Sequence, residues 1–254
     1  MSGRALILTY HAIEKGPAPL CLEPDLFRVH LDCLADVGAA TLTISELSAA
    51  IRAAELPPRA VAITFDDGCA SAVEVAAPML AEHGRRATFF CVAGYLGRTN
   101  EWRTQPARVP RLALAGAREL ADVAAAGFEV GAHGFEHAPL DRADSALARH
   151  ELEGAKDVIE RAVGAPVRSV AYPYGLLPSA EARAQVEALY GAACVGGTAR
   201  VRPGADLFAL PRVDVHYLRR PALLRRAVAG RIDGYLGARR LGARARRAFR
   251  KDSR

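Results

Sequence analysis

Short apolar runs alternate along the chain with stretches in which apolar positions recur every three to four residues. The runs at 5–10, 61–65, 87–93, 128–132, 167–172, 192–195 and 208–215 predict β-strands. Helical spacing over 25–37, 70–83, 117–126, 145–163 and 179–189 predicts helices between them. Strands separated by crossover helices imply a parallel sheet, and about seven such units point to a (β/α) barrel rather than an open sheet. In such sheets chemistry gathers at the carboxyl ends of strands, where this chain places His11, Asp66, Asp67, His133, Tyr174 and Asp214.

After Tyr217 the pattern changes. Leu224, Val228, Ile232, Tyr235 and Leu236 fall on one helical face, flanked by Arg225, Arg226, Arg231, Arg239 and Arg240. The sequence therefore divides into a domain over 1–218 and a basic amphipathic tail over 219–254. Such a helix lies on an anionic membrane surface, or docks on its own domain with its arginines in water; both arrangements use the same apolar stripe. Charge follows this division. Of the 34 Lys and Arg, thirteen fall in 219–254 against two acids, giving that segment +11. The other 218 residues keep 21 basic and 26 acidic groups, or −5. Nucleic-acid binding through the tail is not expected, because no recognition module accompanies it.

Composition narrows the class further. A length of 254 residues with 51% hydrophobic and 24% charged residues suits one α/β domain and excludes disordered or fibrous architectures. No apolar run approaches the roughly 18 residues that span a bilayer. The apolar segment 5–9 is too short for a signal-peptide core, and no small-residue cleavage site follows it. Five cysteines (21, 33, 69, 91 and 194), odd in number and widely scattered, make no disulfide framework and no Cys-x-x-Cys pair. The expectation is a cytoplasmic protein.

Two clusters carry the chemistry. Thr64-Phe65-Asp66-Asp67-Gly68 ends an apolar strand in adjacent carboxylates. Neighbours on a strand point to opposite faces, but at a strand-to-loop transition capped by Gly68 both can turn to one site, one for a cation and one for a proton. The plainer reading is an Asp capping the next helix. His133-Gly134-Phe135-Glu136-His137 follows the strand 128–132, and two histidines four apart suit chelation of one ion. Glu136 adjoins the second histidine, unlike the His-Glu-x-x-His proteases, so a carboxylate must come from elsewhere; Asp67 is the obvious supplier. His-His-Asp with an open position is a catalytic zinc arrangement, although two surface histidines in a loop would show the same spacing.

Taken together, Phe65-Asp66-Asp67-Gly68 and Gly131-Ala132-His133-Gly134-Phe135-Glu136-His137 resemble the polysaccharide deacetylase family, the NodB-like carbohydrate esterases. Ala171-Tyr172-Pro173-Tyr174-Gly175 resembles its Pro-Tyr-Gly loop. Leu8-Thr9-Tyr10-His11, Pro24-Asp25-Leu26-Phe27 and Leu42-Thr43-Ile44-Ser45-Glu46-Leu47 are similar to the branch containing the intercellular-adhesin and poly-N-acetylglucosamine deacetylases. The resemblance implies a distorted (β/α) barrel of about seven strands that hydrolyses an N-acetyl group, sometimes an O-acetyl group, on a sugar. By position, Asp67, His133 and His137 would bind a divalent ion, Zn2+ before Co2+ or Ni2+. Asp66 would be the general base, and the backbone amide at Tyr174 would meet the oxyanion. The general acid would be His11, with His216 as the competing candidate.

Two departures stand out. Gly134 replaces a residue that in many members carries a hydroxyl. Ala171-Tyr172 lacks an arginine that orients the base, a task within reach of Arg212 unless that residue is a surface arginine of the barrel rim. The absent export signal points to a biosynthetic substrate, an N-acetylated sugar on a lipid carrier, glycolipid or small glycoside, with the basic tail at the inner membrane face. A non-sugar amidohydrolase and a non-catalytic glycan-binding relative are the alternatives. Trp102, in the loop 94–110, offers a stacking surface for a sugar ring or simple packing.

Overall fold

The computed structural model describes residues 3–235 and 237–238. Eight parallel strands run β1 (Leu6–Tyr10), β2 (Ala40–Leu42), β3 (Ala60–Phe65), β4 (Thr88–Cys91), β5 (Glu129–Ala132), β6 (Ser169–Ala171), β7 (Ala192–Gly197) and β8 (Leu210–Asp214). Their order is β1-β8-β7-β6-β5-β4-β3-β2, and β1 also pairs with β3. Seven strands thus close a barrel while β2 stays outside the ring. β3 gives one edge to β1 along Val61–Phe65. Its other edge is shared, with Ala60–Ala62 pairing to β2 and Thr64 and Phe65 to β4. β2 therefore wedges β3 from β4 at the amino end, which is the distortion of the barrel.

Strand alternation sorts the side chains into two apolar clusters. Leu6, Leu8, Tyr10, Val61, Ile63, Phe65, Phe89 and Val213 face outward and pack under the helices. Ile7, Ala60, Ala62, Phe90, Ala171, Ala192, Cys194 and Leu210 face the lumen. Small lumen residues make room for Phe90 and for the buried Arg212, whose guanidinium lies 5.4 Å from the Phe90 ring centre.

The helices are α1 (Pro24–Asp36), α2 (Ile44–Arg52), α3 (Ala77–Glu82), α4 (Ala117–Ala125), α5 (Ser145–Arg149), α6 (Ala155–Val163), α7 (Ala180–Leu189) and α8 (Pro221–Val228). The sequence pattern predicts single helices over 70–83 and 145–163. The structure instead inserts a π-helical turn into each, at Ala72–Ala76 and His150–Gly154. Neither β2 nor α2 is predicted from periodicity. α2 starts at a capping box, Thr43 Oγ1 accepting from the Glu46 N–H (3.1 Å) and Glu46 accepting from the Thr43 N–H (2.8 Å). Its Ile44, Leu47 and Ile51 stopper the amino end of the lumen.

Glu129 locks that stopper. Its carboxylate accepts from the Ser45 N–H (3.0 Å) and from the hydroxyls of Ser45 (2.5 Å), Thr88 (2.7 Å) and Ser169 (2.8 Å). Bonds to a charged group contribute about 1.5–3 kcal/mol each when deleted singly. Glu129→Ala strands three hydroxyls at once, so denaturant melts are expected to show a loss of about 3 kcal/mol or more; a loss under about 1 kcal/mol would contradict the lock.

The terminal stripe docks on the domain. Leu224, Val228 and Ile232 are buried in the outer cluster, Tyr235 packs against it, and α8 lies on α1. The helix ends at Val228, and Gly230 takes a left-handed φ of 73°, so the predicted continuous amphipathic helix is interrupted. His30, fully buried on α1, joins this segment to β1. Its Nε2 lies 3.3 Å from the Arg219 carbonyl, which only accepts, so Nδ1 accepts from the Tyr10 hydroxyl at 3.1 Å. The stripe residues Leu224, Val228 and Ile232 are thus spent on the domain rather than offered to a membrane. Leu236, Arg239 and Arg240 lie outside the described residues. No helix among the described residues is long and apolar enough to cross a membrane.

Candidate active site

Asp66 and Asp67 leave the carboxyl end of β3. The Asp66 N–H still bonds the Tyr10 carbonyl (2.9 Å), continuing the ladder to β1. The chain then reverses hand: Asp67 has φ 69° and Gly68 φ 74°, in the region that glycine enters freely and Asp more readily than most residues. This reversal cancels the strand alternation and turns both carboxylates into one space. They are 4% and 6% exposed.

Asp66 meets Arg212, which reaches across the lumen from β8. Nη1 donates to Oδ1 at 2.5 Å and Nη2 to Oδ2 at 2.6 Å, a two-pronged pair. Nη1 also donates to Thr64 Oγ1 (3.2 Å), whose own proton goes to the Leu8 carbonyl (2.9 Å). Arg212 is 3% exposed, so it is not a rim arginine. Burial pushes the Asp66 carboxyl up, but the Arg212 charge and its hydrogen bonds, with His133 and His11, outweigh that and hold it well below the usual carboxylate range. Asp67 lacks such a pair; burial dominates and raises it.

His133 follows β5, its N–H on the Cys91 carbonyl (2.8 Å). Its Nδ1 donates to the Ala171 carbonyl (2.7 Å), which fixes the tautomer and leaves the Nε2 lone pair toward the carboxylates. His137 sits at φ 57° with its ring between those of Trp102 (centres 4.3 Å apart, 31°) and Tyr174 (4.6 Å, 69°). Burial drives its pKa well below the usual value, so its ring is neutral. Each histidine Nε2 lies 3.6 Å from Asp67 Oδ1, and the three ligand atoms fall within 4.8 Å of one another. A tetrahedral ion with bonds of about 2.0–2.1 Å separates its ligands by roughly 3.4 Å. Two imidazoles and one carboxylate at this spacing fit a divalent ion of the zinc type.

His11 follows β1 and acts electrostatically on Asp66, Asp67 and His137; His216 does not figure among the charges acting on them. His216 lies exposed on the turn after β8, its ring against Tyr217 (centres 5.6 Å apart). Tyr174 takes φ 60° within the Pro173–Gly175 turn. Of the five non-glycine residues with positive φ among the described residues, three (Asp67, His137 and Tyr174) line the site, where strained backbone commonly concentrates. The Tyr174 hydroxyl donates to Thr104 Oγ1 (2.6 Å), tying this turn to the long loop after β4. Trp102 from that loop is 3% exposed and packs on His137, so it walls the site from behind rather than offering a face to a sugar. Sequence reasoning gives no role to Thr104 or to Glu151, whose carboxylate holds the His133–His137 turn.

The model of the polysaccharide deacetylase family matches residues 53–193. A putative polysaccharide deacetylase of Bacillus subtilis, YxkH, is 26% identical over 170 residues, covering 66% of this chain. The matched stretch spans 56% of YxkH's length. Among solved structures, the Streptococcus pyogenes deacetylase PplD in complex with acetate aligns with a TM-score of 0.72 at 23% identity, over 84% of this chain and 93% of that one. IcaB from Ammonifex degensii aligns with a TM-score of 0.74 at 22% identity, over 88% and 97%. At these identities the structural likeness shows the fold: a distorted (β/α) barrel of seven closed strands.

Proposed function

The chain belongs to the polysaccharide deacetylase family, and from that premise we propose that it is a metal-dependent de-N-acetylase of an N-acetylated sugar. One observation carries the reading: the Asp67, His133 and His137 ligand atoms converge within 4.8 Å, directly beside an Asp66 carboxylate held ionised by Arg212. The acetate held by PplD, the acid that such a reaction releases, agrees with it.

Asp67, His133 and His137 would hold the ion. When bound, it supplies Lewis acidity, polarising the acetyl carbonyl and making water a nucleophile near neutral pH. Arg212 keeps Asp66 unprotonated and aims its carboxylate, leaving a lone pair on Oδ2 to take the proton of the attacking water. The backbone N–H of Tyr174 donates to the developing oxyanion. His11 delivers a proton to the departing sugar nitrogen; His216, exposed beyond β8, is the weaker candidate. Trp102 and Tyr174 keep the His137 ring from turning.

We extend the proposal to a biosynthetic substrate, a glycolipid or small glycoside handled in the cytoplasm. Its support is the five cysteines, each a buried free thiol. The first test is bound metal by mass spectrometry in wild type and His133→Ala. About one equivalent of zinc in the wild type, lost in the variant, is the expected result, followed by acetate release from N-acetylated glycans and glycolipids. A wild type that stays metal-free with zinc supplied would overturn the reading and favour a glycan-binding protein.

A further inference from the structure

We propose that Glu151 is the positioning residue of the His133–His137 turn: its buried carboxylate is the mould on which the two histidines are set. The inference rests on the metal-site reading above. Glu151 is 0% exposed. Its Oε2 accepts from the N–H groups of Phe135 (3.0 Å) and Ala138 (3.2 Å), and its Oε1 from that of Glu136 (3.0 Å). Three peptide donors of one short turn thus converge on one side chain from another part of the chain.

The opposite side of the turn is pinned too. The carbonyls of Gly134 and Phe135 accept from the N–H groups of Ala93 (3.1 Å) and Gly94 (2.8 Å), which follow β4. Between these clamps the backbone takes φ 82° at Gly134 and φ 57° at His137. A Cβ at position 134 would lie 2.5 Å from Glu151 Oε2. The carboxylate therefore occupies the space that any side chain there would need, which explains why the residue after the first histidine is glycine.

The π-helical turn explains how a helix delivers this group. An α-helix running unbroken from α5 into α6 would keep its 3.6-residue phase. The wider turn at His150–Gly154 breaks that phase at the point where Glu151 is delivered into the loop, and such turns recur at functional sites. Among the described residues, the hydrogen bonds of the Glu151 carboxylate all go to the peptide frame that fixes the ligand spacing. Removing a partner bonded to a ligand itself typically weakens metal binding by about 10–100-fold, and the same order is expected where the support sets the ligands' backbone.

The test is a competitive zinc titration on the full chain for wild type, Glu151→Gln and Glu151→Ala, with thermal melts of the zinc-free proteins. Glu151→Gln keeps the shape but turns an amide NH2 toward the peptide donors. Both variants are expected to melt cooperatively without zinc. Their zinc affinity should fall about tenfold for Gln and towards a hundredfold for Ala. On an N-acetylated oligosaccharide with saturating zinc, kcat should fall while KM holds. Wild-type zinc affinity in both variants would overturn the proposal. If Glu151→Ala fails to fold, Glu151→Gln decides alone, by the same criterion. A wild type that binds no zinc would instead mark failure of the metal-site reading itself, so the two failures are distinguishable.

Discussion

Asp66→Asn should lower kcat for acetate release by about 10²–10⁴-fold, the usual contribution of a positioned base, while zinc content stays near one equivalent. The dissociation of the two readouts is what makes the variant informative. Asp66 approaches the ligand cluster, with Oδ2 3.8 Å from His133 Nε2, but it is Asp67 Oδ1 that lies 3.6 Å from both histidines. Asn preserves the size of the side chain and one acceptor for Arg212, yet it has no carboxylate to receive a proton. His11→Ala, assayed beside it, should give a similar order of loss through the leaving-group step, whereas His216→Ala should remain near wild type. Zinc loss in Asp66→Asn would move Asp66 into the ligand set. An active Asp66→Asn enzyme with full zinc would remove its role as base.

Arg212→Met should destabilise the fold by about 3–5 kcal/mol, since it leaves a buried carboxylate without its partner. The pH dependence fixes the cause. In the wild type Asp66 titrates below its unfolded value of about 3.9. Its contribution to stability is therefore present above that pH and lost as pH falls through the depressed native value. Without Arg212, burial is opposed only by the weaker pull of His133 and His11, so the carboxyl is expected to rise and the variant to lose stability as pH rises above about 4. The gap between wild type and variant should be wide at pH 7 and narrower at pH 4.5 in urea melts. Arg212→Met with Asp66→Asn should recover much of the loss, because no charge is then stranded. A small gap that does not change with pH would mean that the pair contributes little.

Much of this was legible in the sequence. The runs at 61–65 and 128–132 locate β3 and β5 closely because nearly all their residues are buried, so each reads as a short, mostly apolar run broken only by Thr64 and Glu129. β2 was not legible: three half-buried residues carry no period, and its place depends on the splaying of β3 from β4. The Thr43 to Glu46 capping box was a readable signal for α2, but nine residues are too few for periodicity to confirm it. At the site, residue types and order placed Asp66, Asp67, His133 and His137 together. Arg212 could be named only as a candidate, because its reach to Asp66 depends on barrel closure bringing β8 beside β1. Glu151 was invisible. It lies fourteen positions beyond His137 in a segment whose pattern reads as plain helix, and the missing hydroxyl at Gly134 gave no direction toward it.

The stopper at the amino end has a consequence for traffic. With α2 closing one end and Phe90 and Arg212 filling the lumen, the barrel formed by the described residues is a blind well whose doorway lies at the strand carboxyl ends. In the reaction proposed above, the acetylated sugar, the incoming water, the freed amine and the acetate would all use that doorway. Under the proposed reaction, acetate left in the well would therefore compete with the next sugar for the same way in.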